Sequence, residues 1–334
     1  MNPFLVCGVE GVTLDADERR MLRELQPGAV ILFARNILIA DQVRALTAEL
    51  RGLSFKPVVV VDLEGGKVNR LRPLVGELPS AAAAGAAGKG ACRALGEAIG
   101  AACAWLGFGA VYAPVVDVAV AGGALGGEER CFAADPNRVA ELAAAFLAGV
   151  EDWGVDTCLK HYPGLGGGAV DSHLELPVLG GEAREHRRVF GALAGPGRAV
   201  MVAHALAPAL GEALAPASLS RVVVSRLDGW EGGPVVADDL EMGALVGFGS
   251  VPERAAAALL AGCDQVLVCN ALDQRAPVVD HLRRWAARDP VLAAALGRSH
   301  RRFAAWGRRP LRVASEVDVL SRAARARELA GERP

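Results

Sequence analysis

The run Val58-Val59-Val60-Val61, closed at once by Asp62, constrains the fold of this chain more than any other stretch. Four consecutive β-branched residues show no polar alternation, so such a strand is buried on both faces, as strands of a parallel sheet are. Parallel neighbours must be joined by a crossover, usually a helix. The chain repeats this unit. Short apolar runs stand at Phe4–Cys7, Val30–Phe33, Val58–Val61, Ala110–Ala113, Val155–Leu159, Ala199–Ala203, Val235–Ala237 and Gln265–Val268. Helix signals separate most of them. Asp15, Asp17 and Glu18 open a helix to about Leu25, and Asp41 is expected to cap Gln42–Leu53. Ser80 begins an Ala-rich helical stretch to about Leu106, and Asn137 is expected to cap a helix to about Trp153. Glu182–Leu193 and Pro252 to about Leu260 follow. Eight strands alternating with helices predict an α/β fold, a (β/α)8 TIM-type barrel. A single domain is expected over residues 1–334, its C-terminal part from about 271 helical and broken near Pro290 and Pro310. A doubly wound sheet would need a Gly-rich phosphate turn after the first strand, and Gly8-Val9-Glu10-Gly11 does not supply one.

Composition narrows the partners. Lys+Arg is 36 against Asp+Glu 38, so no whole-chain field attracts nucleic acid or an anionic membrane. The arginines near the C-terminus, Arg283, Arg284, Arg301, Arg302, Arg308 and Arg309, read as a solvated helix face. Seven scattered cysteines without a C-x-x-C pair read as small buried hydrophobes in a reducing compartment. The N-terminus lacks the basic and long apolar regions of a signal peptide, so a cytoplasmic location is expected. The uncharged stretch from Ala98 to Val116 has the length of a membrane span, but Gly100, Gly107, Gly109 and Pro114 divide it into a helix end, a turn and a strand.

Barrels of this kind carry their chemistry just after the strands, at the C-terminal mouth. Ten polar residues stand there: Asp62, Arg70, Arg130, Lys160, His161, Asp171, His173, His204, Asp238 and Asp239. Each has an ordinary reading alone, as a turn cap, a satisfied core histidine or a surface arginine. Gathered at the ends of buried strands they would be costly without a use. The densest stretch runs from Lys160 to His173. Pro163 ends its strand, four glycines between Gly164 and Gly168 form a loop expected to be mobile, and the loop delivers Asp171-Ser172-His173. A carboxylate two residues from an imidazole can orient and polarise the ring for acid–base work. Two chemistries fit this set. In one, a carboxylate attacks an anomeric carbon and a second group protonates the leaving oxygen. In the other, His161, His173, His204 and Asp238 bind a metal, but that reading wants a His-x-His near strand one, which offers only Phe4–Cys7. Neither a metal nor a cofactor is expected.

The motifs resemble those of glycoside hydrolase family 3, in its bacterial β-N-acetylglucosaminidase branch. Lys160 to His173 is similar to the family's Lys-His-Phe-Pro-Gly-x-Gly signature ending in Asp-Ser/Thr-His. Gly28–Asn36, Asp62–Arg70, Arg130-Cys131-Phe132 with Asp135-Pro136, Glu185–Phe190, Val200–His204, Pro216–Ser220 and Val236–Met242 resemble further family segments, in family order. The resemblance implies that Asp238 is the nucleophile, His173 the acid/base and Asp171 the residue that tunes it. It implies that Asp62, Arg70, Arg130, Lys160 and His161 bind the N-acetylglucosamine unit, with His204 lining the same mouth. Departures occur at Leu63, Lys67 and Leu165, where members carry Gln, Arg and His, and at Gly167-Gly168 in place of Asp-Thr. They are expected to loosen the loop, which could swing in when substrate binds.

The function expected from this resemblance is that of a retaining β-N-acetylhexosaminidase acting on small glycosides, cell-wall turnover fragments among them. No nucleic-acid or membrane partner is expected, and the chain is expected to act as a monomer. Two other readings remain open on the sequence: a non-catalytic sugar-binding barrel, and a phosphorylase that uses phosphate in place of water.

Overall fold

The computed structural model describes residues 1–332. Eight strands, β1 (Asn2–Gly8), β2 (Pro27–Leu32), β3 (Val58–Val61), β4 (Ala110–Val111), β5 (Asp156–Tyr162), β6 (Arg198–Val202), β7 (Val235–Asp239) and β8 (Gln265–Val268), close into one parallel barrel in the order β1-β8-β7-β6-β5-β4-β3-β2. The register is regular where the strands are β-branched: Ala29, Val30, Ile31 and Leu32 of β2 lie opposite Val58, Val59, Val60 and Val61 of β3. It is broken on β5, where pairing with β6 shifts between Leu159 and Tyr162. That irregular stretch carries Lys160 and His161. They therefore lie inside the strand, His161 two residues before Pro163, which has no N–H to continue the ladder.

Two hydrophobic layers hold the barrel. Its interior is filled by Val6, Ile31, Val60, Tyr112, Cys158, Met201, Val236 and Leu267, all buried. The other faces of the strands pack on surrounding helices, the longest being Lys89–Leu106 and Pro136–Glu151. The C-terminal part contributes to the interior as well. Phe303 and Trp306, which follow from the helix Pro290–Phe303, belong to the inner cluster. Trp306 stacks on Tyr112 with ring centroids 6.2 Å apart, and its indole N–H donates to the Thr157 carbonyl at 3.3 Å. At the start of β5, Asp156 accepts from the Gly307 N–H at 2.6 Å. The barrel floor is thereby plugged, and the open end is the C-terminal mouth.

Several helix starts differ from expectation for local reasons. Asp15 caps Ala16–Leu25 as expected, accepting from the Glu18 N–H at 2.7 Å. Asp41 is not a cap: the helix runs Ala40–Gly52, Ile39 is the N-cap, and Gln42 accepts from the Leu38 N–H. Asp135 rather than Asn137 caps the helix Pro136–Glu151, because Pro136 fits the first helical position, where no N–H is needed. Ser80 caps Ala81–Ala87, but Gly88, at φ 101°, separates this helix from Lys89–Leu106. The helical C-terminal part is broken before Pro290 and around Pro310 as expected, and Pro290 begins the helix Pro290–Phe303 with Asp289 as its cap. The uncharged stretch after Ala98 is the end of a helix, a turn and β4. No helix among the described residues is long and apolar enough to cross a membrane.

Candidate active site

A cavity of about 400 Å³ opens at the C-terminal mouth. Asp62, Arg70, Arg130, Lys160, His161, His173, Asp238 and Asp239 all line it, together with Glu64. Asp171 lies beside it, in a small adjoining pocket that His173, His161, Arg130 and Asp238 share.

One wall is a lattice of buried charge. After β3 the chain turns through a short hairpin, Leu63–Gly65 paired with Val68–Asn69, which brings Glu64 back over the mouth. Lys160, from β5, donates to Asp62 at 2.7 Å and lies 2.7 Å from Glu64. Arg130, from the long loop after β4, grips Glu64 with two bonds of 2.9 and 3.0 Å and reaches Glu128 at 3.4 Å. Lys160 and Glu64 are almost fully buried. Burial alone would push the Glu64 carboxyl up, but the fields of Lys160 and Arg130 outweigh it and bring its pKa down to about 2. Burial opposes the charge on Lys160, and Asp62 and Glu64 more than restore it. Glu64 is thus held ionised at neutral pH between its two cations. Arg70 has a different status. Its Nε is buried and bonded to nothing among the described residues, so it is a cation with unspent donor capacity.

The floor of the site comes from β5 and β7. His161 Nδ1 lies 2.8 Å from an oxygen of the fully buried Asp117, which also accepts from the His161 N–H at 3.0 Å and the Leu165 N–H at 2.5 Å. With Asp117 accepting from Nδ1–H, the other ring nitrogen is left for the cavity. Asp238, near the end of β7, is partly buried and accepts from the Asp239 N–H at 2.9 Å. Burial pushes its pKa up, but His161, His204 and that N–H hold it below the ordinary carboxylate value. Asp239 goes the other way. Burial, and then the neighbouring Glu241 carboxylate, raise it to about 7.

The second wall is the loop after β5. Asp171 accepts from both the His173 N–H, at 2.9 Å, and His173 Nδ1, at 2.8 Å. The two bonds fix the ring to its own loop and leave Nε2 as the working nitrogen. In contrast to the lattice, these side chains are 50% and 67% exposed. Burial opposes the Asp171 charge, but the two His173 bonds and the His173 and Arg130 fields together prevail and its pKa is lowered.

The glycines before this dyad are not a loose tether. Gly164 has φ 122°, and a Cβ there would press on His186 at 2.6 Å. A Cβ on Gly166 would sit 1.8 Å from the Val118 carbonyl oxygen. Gly164 is required by its positive φ and Gly166 by the approach of the Val118 backbone. His204 also departs from expectation. It is fully buried outside the cavity lining, with Nδ1 2.6 Å from the Ser218 hydroxyl and Nε2 2.9 Å from the Asp239 carbonyl. Both ring nitrogens are spent on holding the end of β7, and burial lowers its pKa.

Two residues of the site escape a reading of strand ends. Glu64 lies beyond the strand, and the signal for it was its spacing of two from Asp62, which puts both acids on one side of extended chain. Asp117 closes the apolar run that begins at Ala110, but its loop position gave no sign that it would meet His161.

A plugged parallel barrel whose mouth holds paired acids, a carboxylate–imidazole dyad and a lattice of paired charges has its reactive groups where barrel enzymes carry their chemistry. The chain belongs to glycoside hydrolase family 3: the model of the glycosyl hydrolase family 3 N terminal domain matches residues 6–301. It is 37% identical over 320 residues to a β-hexosaminidase of Thioalkalivibrio sulfidiphilus, covering 90% of this chain and 89% of that protein. It is 35% identical to a β-hexosaminidase of Pseudomonas aeruginosa over 81% of this chain and 83% of the relative. Among solved structures, native NagZ from Neisseria gonorrhoeae superimposes with a TM-score of 0.77 at 28% identity, covering 99% of this chain and 98% of that one. A family 3 β-N-acetylglucosaminidase from Paenibacillus gives 0.85 at 28% identity, over 98% of this chain and 68% of that one.

Proposed function

We propose that this glycoside hydrolase is a retaining β-N-acetylhexosaminidase that removes terminal N-acetylglucosamine from small glycosides. The observation that carries the reading is the placement of Asp238 and the Asp171–His173 dyad on one cavity, with Asp238 ionised and His173 Nε2 unspent. In the first step Asp238 attacks the anomeric carbon, the bond from that carbon to the aglycone oxygen breaks, and His173 gives that oxygen its proton. In the second, His173 takes a proton from water, whose oxygen attacks the same carbon and frees Asp238. Two displacements at one carbon retain its configuration. Asp62, Lys160 and Arg130 present a rigid polar face to the sugar hydroxyls. Arg70 has donors available for the amide carbonyl or a carboxylate, and His161 offers its second nitrogen. Cell-wall turnover fragments supply such glycosides in a cytoplasm, and seven buried, unpaired thiols suit that reducing compartment.

The test is release of p-nitrophenol from its β-N-acetylglucosaminide by wild type, Asp238→Asn and His173→Ala, with and without phosphate. Turnover abolished in Asp238→Asn and strongly reduced in His173→Ala is the expected result. A rate that requires phosphate would make the enzyme a phosphorylase. Sugar binding without any wild-type turnover would leave a binding barrel.

A further inference from the structure

The loop that carries Asp171 and His173 is pinned at both ends. The Gly168 carbonyl accepts from the Ala124 N–H at 2.9 Å. Beyond the dyad, Leu206 donates to the Pro177 carbonyl at 2.8 Å, and Leu179 donates to the Leu206 carbonyl at 2.9 Å. Between these pins, among the described residues, the backbone of the middle of the loop hydrogen-bonds to one other segment, the loop after β7. The Gly243 N–H donates to the His173 carbonyl at 3.0 Å, and the Ala244 N–H donates to the Ser172 carbonyl at 3.2 Å. The receiving surface has no room for a side chain. A Cβ on Gly243 would lie 2.5 Å from the Leu174 carbonyl oxygen and 2.7 Å from that of His173, closer than real Cβ contacts come. Gly243 is not in the left-handed region, so its own backbone does not demand glycine. What demands it is the close approach of the loop.

The segment that receives His173 is continuous with the one that supplies Asp238. Asp238 and Asp239 end β7, Glu241 accepts from the Asn270 and Ala271 N–H groups and so ties the turn to the end of β8, and Gly243 follows directly. We infer that Gly243 is a positioning residue for the acid/base: its missing side chain and its N–H let the β7 loop dock the backbone of His173, setting the imidazole against the carboxylate on the same segment. The inference rests on the role proposed above for His173. Its consequence is that the register between acid/base and nucleophile is set by two backbone hydrogen bonds, while the imidazole itself stays exposed.

A displaced acid affects leaving groups unequally. An aglycone that leaves readily needs little protonation, and a poor one needs the full proton transfer. The experiment measures kcat/KM, which reports the first displacement, for the phenyl and the 2,4-dinitrophenyl β-N-acetylglucosaminides in wild type, Gly243→Ala and His173→Ala. Melting temperature and binding of N-acetylglucosamine are measured alongside. In Gly243→Ala the phenyl glycoside is expected to lose about 10- to 100-fold, the scale of a misplacement of roughly 1 Å. The dinitrophenyl glycoside is expected to lose far less, with sugar binding and melting kept near wild type. Equal losses on both substrates, or none, in Gly243→Ala while His173→Ala shows the unequal pattern would overturn the inference and leave the role of His173 standing. Absence of the unequal pattern in His173→Ala would overturn both. Hydrogen exchange in the wild type gives an independent check. Gly243 and Ala244 amides that exchange like open loop would remove the docking itself, and protected amides would support it.

Discussion

The two walls of the cavity are built on opposite principles. On the β3–β5 side, Lys160, Glu64, Asp62 and Arg130 form a buried lattice in which every charge has a partner of opposite sign within 3 Å. On the loop side, Asp171 and His173 hold each other in the open, more than half of the imidazole exposed. Buried charges in a low-dielectric site are costly to separate, so the lattice keeps one geometry. An exposed imidazole is solvated and open to an aglycone and to water. On the function proposed above, the contrast separates two tasks: a fixed face to recognise the sugar, and an accessible group to exchange protons with the aglycone and with water. Asp238 stands where the walls meet.

The sharpest way to break the contrast is to exchange the consequences of mutation. Glu64→Gln removes the centre of the lattice and leaves Lys160 and Arg130 short of one counter-charge. A loss of about 3–5 kcal/mol in unfolding free energy is expected, measured by urea denaturation. His173→Ala should do the reverse: stability unchanged within about 0.5 kcal/mol, and kcat lower by about 10²- to 10⁴-fold. Comparable melting losses in both variants would erase the distinction between the walls. A smaller effect belongs to Asp171→Asn. The ring keeps a partner but loses the carboxylate, so kcat should fall by less than in His173→Ala, with no change in melting.

The least effect is a pH-dependent one. Asp239 has its folded-state pKa raised to about 7, so the native state binds a proton that the unfolded chain releases near 3.8. That linkage favours the fold below about 3.8 and is lost as pH rises towards 7. Asp239→Asn should therefore raise the melting temperature at pH 8, by roughly 1–2 kcal/mol of unfolding free energy once partial exposure is discounted, and make no difference near pH 3.5. Glu64 has the opposite sign. Its depressed pKa contributes stability above about 4.5 that disappears as pH falls towards about 2. Wild-type acid unfolding in that window, absent from the residual stability of Glu64→Gln, is the expected signature.

The barrel was legible because its strands are short apolar runs separated by helix signals. β8 lies where the run Gln265–Val268 places it, and Val58–Val61 is β3 in full. Ends set by tertiary contacts were less legible. β5 continues through Lys160 and His161 because Asp62, Glu64 and Asp117 satisfy those side chains from other elements, and no local pattern records that. The gathering of the mouth residues followed from strand polarity alone, which is why eight of the predicted residues line the cavity. His204 is the exception: at a strand end a histidine that reaches the site and one that braces the next strand look alike in sequence. Glu64 and Asp117 were missed for the same reason, since each acquires its meaning from a residue far away in the chain. The glycines at 164–168 show a third limit. In sequence a glycine run signals flexibility, but here Gly164 takes a positive φ and Gly166 meets backbone packed too closely for a Cβ.

The central claim, that Asp238 is the carboxylate at which the two walls act on the sugar, is tested most directly by trapping. A 5-fluoro N-acetylglucosaminyl fluoride slows release of the sugar from the enzyme, and peptide mass spectrometry locates the attachment. The account predicts one sugar per chain on the peptide containing Asp238, and none on Asp238→Asn. Attachment at Asp62, Glu64 or Asp171, or turnover of the reagent with an inverted first product, would contradict it.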